Sequence, residues 1–202
     1  MDVKLEKRQL RALMKQKRGV ETDRAAKSCE ISNRLMELPE FQAAASCLFY
    51  LSTPEEVDAS PALTQSLVSG WKTVVPYCVE GDNIRLFVLR DMAELEPGAY
   101  GILEPKSSLR SLPERNCTAD ALELIIIPGV AFDRRGARLG RGRGCYDRLL
   151  RVVGLKVCIV ALAFGCQIIQ HVPTEDTDAF VDKIITEQWT YDCRSFRGGV
   201  KP

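Results

Sequence analysis

The densest chemistry in the chain lies between residues 133 and 147, which read Asp-Arg-Arg-Gly-Ala-Arg-Leu-Gly-Arg-Gly-Arg-Gly-Cys-Tyr-Asp. Glycines stand at 136, 140, 142 and 144, and arginines at 134, 135, 138, 141 and 143. Such a stretch is costly to order, because glycine loses the most backbone entropy on folding and clustered guanidinium groups repel one another unless an anion lies among them. A phosphate-rich ligand answers both problems. The stretch also sits between a strand-like run, Leu122 to Ile127, and a helix-like run, Tyr146 to Val153. A glycine-rich loop in that position presents backbone amides to an anion at the positive end of a helix dipole. Asp147 follows directly, a carboxylate suited to a magnesium ion that bridges phosphates. The spacing matches neither the P-loop nor the dinucleotide fingerprint. An RNA-binding Arg-Gly segment and a plain surface connection are the competing readings.

Little else in the sequence offers a nucleophile. His171 is the single histidine, without the partners a Cys-His dyad or a multi-histidine metal site requires, so a bland role is expected for it. No Ser-His-Asp set is apparent, which argues against covalent acyl chemistry. Residues 2 to 18 read as a helix with seven Lys or Arg. Lys4, Arg8, Arg11 and Lys15 form one stripe, with Lys7 one turn before Arg11. Taken alone, that stripe is a solvated face.

These groups must be positioned by the remaining elements. A second helix is expected from Thr22 to Pro39, and a buried strand from Ala45 to Leu51 ends in a loop carrying Glu55, Glu56 and Asp58. Ser60-Pro61 opens a helix, with Ser as its cap. Strands follow at 72 to 76 and 84 to 89, joined by a turn through 80 to 83. The aliphatic run Leu122 to Ile127 suits a doubly covered central strand. Val157 to Ala163 and Val181 to Thr186 supply two more. The alternation predicts one α/β domain over residues 1–202, three layers deep, with a mostly parallel central sheet and helices on both faces.

Composition narrows the class. With 28 Lys and Arg against 27 Asp and Glu, the formal charge is +1, so no global field draws the chain to nucleic acid or membrane. No apolar run approaches the ~20 residues of a membrane span, and no signal-peptide core opens the chain. The eight cysteines show no paired zinc-site spacing and are read as reduced thiols in a cytoplasmic protein, expected to be a monomer.

Pro128-Gly129-Val130-Ala131-Phe132-Asp133, Arg138-Leu139-Gly140-Arg141-Gly142-Arg143-Gly144 and Tyr146-Asp147-Arg148 together resemble the signature of the 5-formyltetrahydrofolate cyclo-ligases, also called 5,10-methenyltetrahydrofolate synthetases. Lys7 to Arg11, Leu51-Ser52 with Glu55-Glu56, Tyr100 to Pro105, Ala161 to Phe164 with Gln167, Val172-Pro173, and Asp178 through Glu187 are similar to further segments of that family. Three positions depart from its common pattern: Cys145 replaces an aromatic residue, Leu103 a proline and Thr177 a histidine.

The resemblance implies magnesium- and ATP-dependent closure of 5-formyltetrahydrofolate to 5,10-methenyltetrahydrofolate, through a phosphorylated formyl group, with release of ADP and phosphate. It implies small-molecule partners only, a reduced folate and ATP. Carried over by position, Lys7, Arg8, Arg11 and the run Arg138, Leu139, Gly140, Arg141, Gly142, Arg143, Gly144, Cys145 and Tyr146 would bind ATP. Arg141 and Arg143 would be catalytic. Leu51, Glu56, Tyr100, Arg141, Gly142, Arg143, Gly144 and Cys145 would meet the folate, and Asp147 and Asp182 would hold magnesium. A non-catalytic binder of the same fold and a sugar-phosphate isomerase on a related sheet stand as alternatives.

Overall fold

The computed structural model describes residues 2–79, 83–98 and 101–197. The chain opens with α1 (Val3–Gly19), whose first turn is capped by the Asp2 carboxylate accepting from the Lys4 amide at 2.9 Å. Next come α2 (Arg24–Met36), α3 (Pro39–Ala43), β1 (Ser46–Leu48), α4 (Ser60–Val68), β2 (Lys72–Val79) and β3 (Asn83–Val88). Three short strands, β4 (Leu95–Pro97), β5 (Leu103–Pro105) and β6 (Asn116–Cys117), precede the central β7 (Leu124–Ile127). The chain then runs through β8 (Ala131–Asp133), β9 (Arg138–Leu139), α5 (Cys145–Arg151), β10 (Cys158–Leu162), β11 (Ile168–Ile169), β12 (Lys183–Ile185) and β13 (Thr190–Asp192).

The main sheet has the order β13-β12-β10-β7-β1-β2-β3-β6. Its five inner strands, β12, β10, β7, β1 and β2, are parallel, and β13, β3 and β6 add antiparallel edges. Strand alternation distributes the apolar side chains between the faces. Leu124, Ile126, Val160 and Leu162 face a core shared with α2, α3 and α4. Ile125, Ile127, Ile159 and Ala161 face a core closed by Leu149 and Leu150 of α5. The expected three layers are therefore present. No helix among the described residues is long and apolar enough to cross a membrane.

Two local features differ from the expectations. Ser60 is the first residue of α4 rather than its cap; Ala59 stands at the cap, and the Asp58 carboxylate accepts from the Ser60 amide at 2.9 Å. The glycine-rich stretch also does not leave β7 directly. A second, three-stranded sheet, β11-β8-β9, intervenes. Its strands are only two or three residues long, too short for the periodicity that reveals a strand. This sheet and Met14 of α1 enclose a small third core with Val130, Ala131, Ala137, Leu139 and Val172. Gly136 turns the β8–β9 hairpin at φ +88°, and a Cβ there would lie 2.5 Å from the Val181 carbonyl oxygen.

Sheet polarity also corrects the expectation for Asp182. Its amide donates to the Ile159 carbonyl at 2.8 Å and its carboxylate accepts from the Ile159 amide at 2.7 Å, at the amino end of β10. Asp147 belongs to α5 and bonds Arg138, which reaches the Pro128 carbonyl just past the opposite, carboxyl end of β7. A five-residue strand separates its two ends by about 13 Å, so one ion cannot bind both aspartates. Asp182 is instead buried against Arg197, whose guanidinium also donates to the Val157 carbonyl at 2.5 Å. Burial pushes the Asp182 carboxyl above the usual range, against the pull of the Ile159 amide and Arg197. Removing one member of a buried pair strands the other. Asp182→Ala is expected to lower the unfolding free energy by about 3 kcal/mol, read by denaturant titration.

Candidate active site

Two cavities meet at the carboxyl edge of the main sheet. The smaller, about 160 Å³, is polar and lined by five cations, Lys7, Arg11, Arg138, Arg148 and Arg151, with Asp147 and Asp178 as its carboxylates. Leu139, Gly140, Gly142, Gly144 and Thr177 complete its wall. Leu139 buries its side chain in the third core, so it offers the cavity little beyond backbone. Gly144 caps α5 in the left-handed region, at φ +66°, which turns the loop sharply into the helix without strain.

Each cation is held in place. Arg11 Nε donates to the Gly140 carbonyl at 2.8 Å, Arg148 Nη1 to the Arg143 carbonyl at 3.0 Å, and Arg151 to the Thr177 carbonyl at 3.1 and 3.2 Å. Arg138 is buried and donates to the Pro128 carbonyl at 3.3 Å and the Asp147 carboxylate at 2.7 Å, while its Nε has no partner. Lys7 reaches 168 positions along the chain to Glu175, at 3.0 Å, and also bonds Asp178. Burial alone would lower the Lys7 ammonium; Asp178 and Glu175 together hold it above its ordinary value. It therefore stays charged throughout the neutral range.

The second cavity, about 410 Å³, is mostly apolar. Tyr50, Leu51, Pro76, Tyr77, Ile84, Ile102 and Leu103 supply much of its wall, and Arg138, Gly140, Gly144 and Asp147 border it as well as the polar cavity. Arg141 closes one side by donating to Glu56 at 2.9 Å and Thr53 at 2.8 Å, bridging the glycine-rich stretch to the loop after β1. The Glu56 side chain is only 8% exposed, an acidic group inside an apolar site. Arg143, Cys145 and Tyr146 also line this cavity. Burial raises the Tyr146 phenol, so its hydroxyl stays neutral beneath the Arg138 guanidinium, 5.7 Å from the ring centre.

The structure thus brings together Lys7, Arg11, Arg138 to Asp147, Leu51 and Glu56. Arg8 is exposed on α1 and lines neither cavity. The face of α1 turned to the protein carries Lys7, Met14 and Arg18, with Arg11 part-buried between them, so Lys4, Arg8 and Lys15 remain in solvent. Tyr100 lies outside the described residues. Asp178 was not singled out from sequence; its position four residues before Asp182, in a segment lacking periodicity, gave no means of choosing between them.

The family model of the 5-formyltetrahydrofolate cyclo-ligase family matches residues 3–187. The chain belongs to this family. Mouse 5-formyltetrahydrofolate cyclo-ligase is 29% identical over 191 residues, covering 90% of this chain and 93% of the mouse protein. The Escherichia coli cyclo-ligase is 29% identical over 160 residues, covering 78% and 86%. The NMR structure of Aquifex aeolicus 5,10-methenyltetrahydrofolate synthetase superposes with a TM-score of 0.78 at 31% identity, over 97% of this chain and 95% of that one. The expected family and α/β fold are thus established over nearly the whole chain.

A cavity lined by five cations and two carboxylates has the net positive charge that suits a polyanion. Arg11→Ala removes one charged hydrogen-bond donor from its wall and is expected to weaken binding of inorganic tripolyphosphate about tenfold, measured by titration calorimetry on the free protein.

Proposed function

We propose that this chain closes 5-formyltetrahydrofolate to 5,10-methenyltetrahydrofolate at the expense of ATP, releasing ADP and phosphate. The observation that supports this reading best is the shared border of the two cavities, Arg138, Gly140, Gly144 and Asp147. A triphosphate in the polar cavity and a reduced pterin in the apolar one meet there, with the terminal phosphorus near the formyl oxygen.

A formamide carbon is a weak electrophile, and its oxygen leaves poorly. Transfer of the terminal phosphoryl group to that oxygen, with ADP leaving, gives an imidate phosphate. The neighbouring folate amine then attacks the formyl carbon, the C–O bond breaks, and phosphate departs. The chemistry asks the protein for position and charge rather than for a nucleophile. Lys7, Arg11, Arg138, Arg148 and Arg151 neutralise the phosphates. Arg141 and Arg143, on the cavity wall beside the pterin, act on the charge that develops at the transferred group. Glu56, Leu51 and the backbone of Gly142 to Cys145 hold the folate.

Magnesium fits the polar cavity. Asp147 and Asp178 both line it, and each has one oxygen engaged by a cation of the wall, Arg138 and Lys7 respectively. Among the described residues no group of three or more His, Cys, Asp or Glu is arranged to hold a metal. An ion with one or two carboxylates, completed by phosphate oxygens and water, suits that donor set. When bound, it would supply charge neutralisation between the transferred and leaving phosphates. Asp147 and Asp178 would hold it, and Asp182 is withdrawn from this role by its place at the other end of the sheet.

Incubation with 5-formyltetrahydrofolate, ATP and magnesium is expected to generate the methenyl absorbance, and omission of ATP to abolish it. Folded protein that yields no methenyl product at saturating substrates would overturn the reading. Asp147→Asn and Asp178→Asn are each expected to lower turnover about tenfold or more and to raise the magnesium requirement. Asp182→Asn is expected to keep the parental magnesium response.

A further inference from the structure

We propose that Asp133 is a positioning residue for the nucleotide, a single buried carboxylate that sets the separation between the two walls of the polar cavity. The inference rests on the reading of that cavity as the triphosphate site. One wall is β9 and the loop after it, carrying Arg138 and Gly140; the other is the segment from Val172 to Asp178, carrying Thr177 and Asp178. These walls are more than thirty positions apart in sequence, and the Asp133 carboxylate bonds the amide just before one and the amide that starts the other.

Asp133 ends β8 and has no solvent exposure. Its Oδ1 accepts from the Arg135 amide at 2.9 Å and the Ala137 amide at 3.3 Å, which closes the hairpin immediately before Arg138. Its Oδ2 accepts from the Val172 amide at 3.0 Å, which fixes the start of the opposite wall. Arg135 Nη2 covers the same oxygen at 2.8 Å and lies 2.7 Å from His171 Nδ1. Both oxygens therefore face only donors. Asp133, Arg135 and Val172 line neither cavity, so the carboxylate acts through the chain segments it joins. From Val172, six residues lead to Asp178, where the Glu175 amide donates to the Asp178 carboxylate at 2.7 Å and Lys7 bonds both acidic side chains. The same anchor thereby sets Lys7 at its distance from Arg138.

An amide in place of this carboxylate must turn its NH2 group toward either the hairpin amides or Val172, and one wall loses its tether. Asp133→Asn is expected to raise KM for ATP roughly tenfold and to weaken a non-hydrolysable ATP analogue equally in calorimetry. KM for 5-formyltetrahydrofolate should rise clearly less than KM for ATP, since residues 172 to 178 border only the polar cavity, whereas Arg138 and Gly140 border both. Arg135→Ala, a change at the surface that removes only the cover, should raise KM for ATP about two- to threefold. A folded Asp133→Asn protein with unchanged ATP affinity, with a loss confined to kcat, or with both KM values raised alike would overturn the proposal. If that variant fails to fold, Arg135→Ala decides by the same readouts, and unchanged ATP affinity there overturns it. Lys7→Ala run in parallel separates the two readings. Loss of ATP affinity in Lys7→Ala alone removes only the role of Asp133, whereas unchanged affinity in all three variants removes the triphosphate site itself.

Discussion

Five cations lining one small cavity repel one another, and the structure ties four of them to backbone carbonyls, while carboxylates meet Lys7 and Arg138. Arg11, Arg138, Arg148 and Arg151 each donate to a main-chain oxygen, from Gly140, Pro128, Arg143 and Thr177. A carbonyl fixes a guanidinium in space and leaves its charge almost whole, whereas a carboxylate cancels it. The cavity is therefore ordered and still strongly positive. Its two acidic residues face it beside Lys7 and Arg138, so incoming phosphates meet sites already oriented and little reorganisation remains. The irregular path of residues 134 to 144 follows from the same need, because only a loop that repeatedly exposes its carbonyls can serve several arginines at once.

The parallel sheet supplies the rest of the geometry. Its two faces are filled by separate cores, and the one packed under α2, α3 and α4 runs on to the carboxyl edge, where its Tyr50 and Tyr77 line the apolar cavity. The apolar cavity opens between the ends of β1, β2 and β7, and the polar one under α1 and the small β11-β8-β9 sheet. This is the usual place for a ligand in an open α/β sheet. The division of labour is spatial: the large cores stabilise, and the third, small core seats the basic helix.

How much of the fold and the site the residues disclose follows the strength of the local signal. The run Leu122 to Ile127 marked β7 because a doubly covered strand is aliphatic on both faces, and it carries residues of both cores. The cluster of glycine and arginine marked the polar cavity because no apolar core tolerates it. The small sheet escaped because its strands span two or three residues. On α1, charge spacing marks a stripe through Arg8 that is solvated apart from Arg11, while packing of Met14 turns the face through Lys7 to the protein. Asp182 and Asp178 are the same residue type in one short segment. Only the direction of the strands, a property of the whole sheet, tells which of them reaches the polar cavity.

The bond from Lys7 to Asp178 spans 171 positions, and that from Arg11 to Gly140 spans 129. On a ribosome, α1 is made well before its partners. At ordinary rates of synthesis the delay is on the order of ten seconds or more. During that time Lys7 and Arg11 have no cavity to line, and the helix waits with its inward face exposed. Contacts of such long sequence separation form late in folding, so the main sheet can assemble around β1, β2 and β7 before the polar cavity exists. A polyanion suited to that cavity would bind only after these contacts form, and by mass action it would draw their closing to completion.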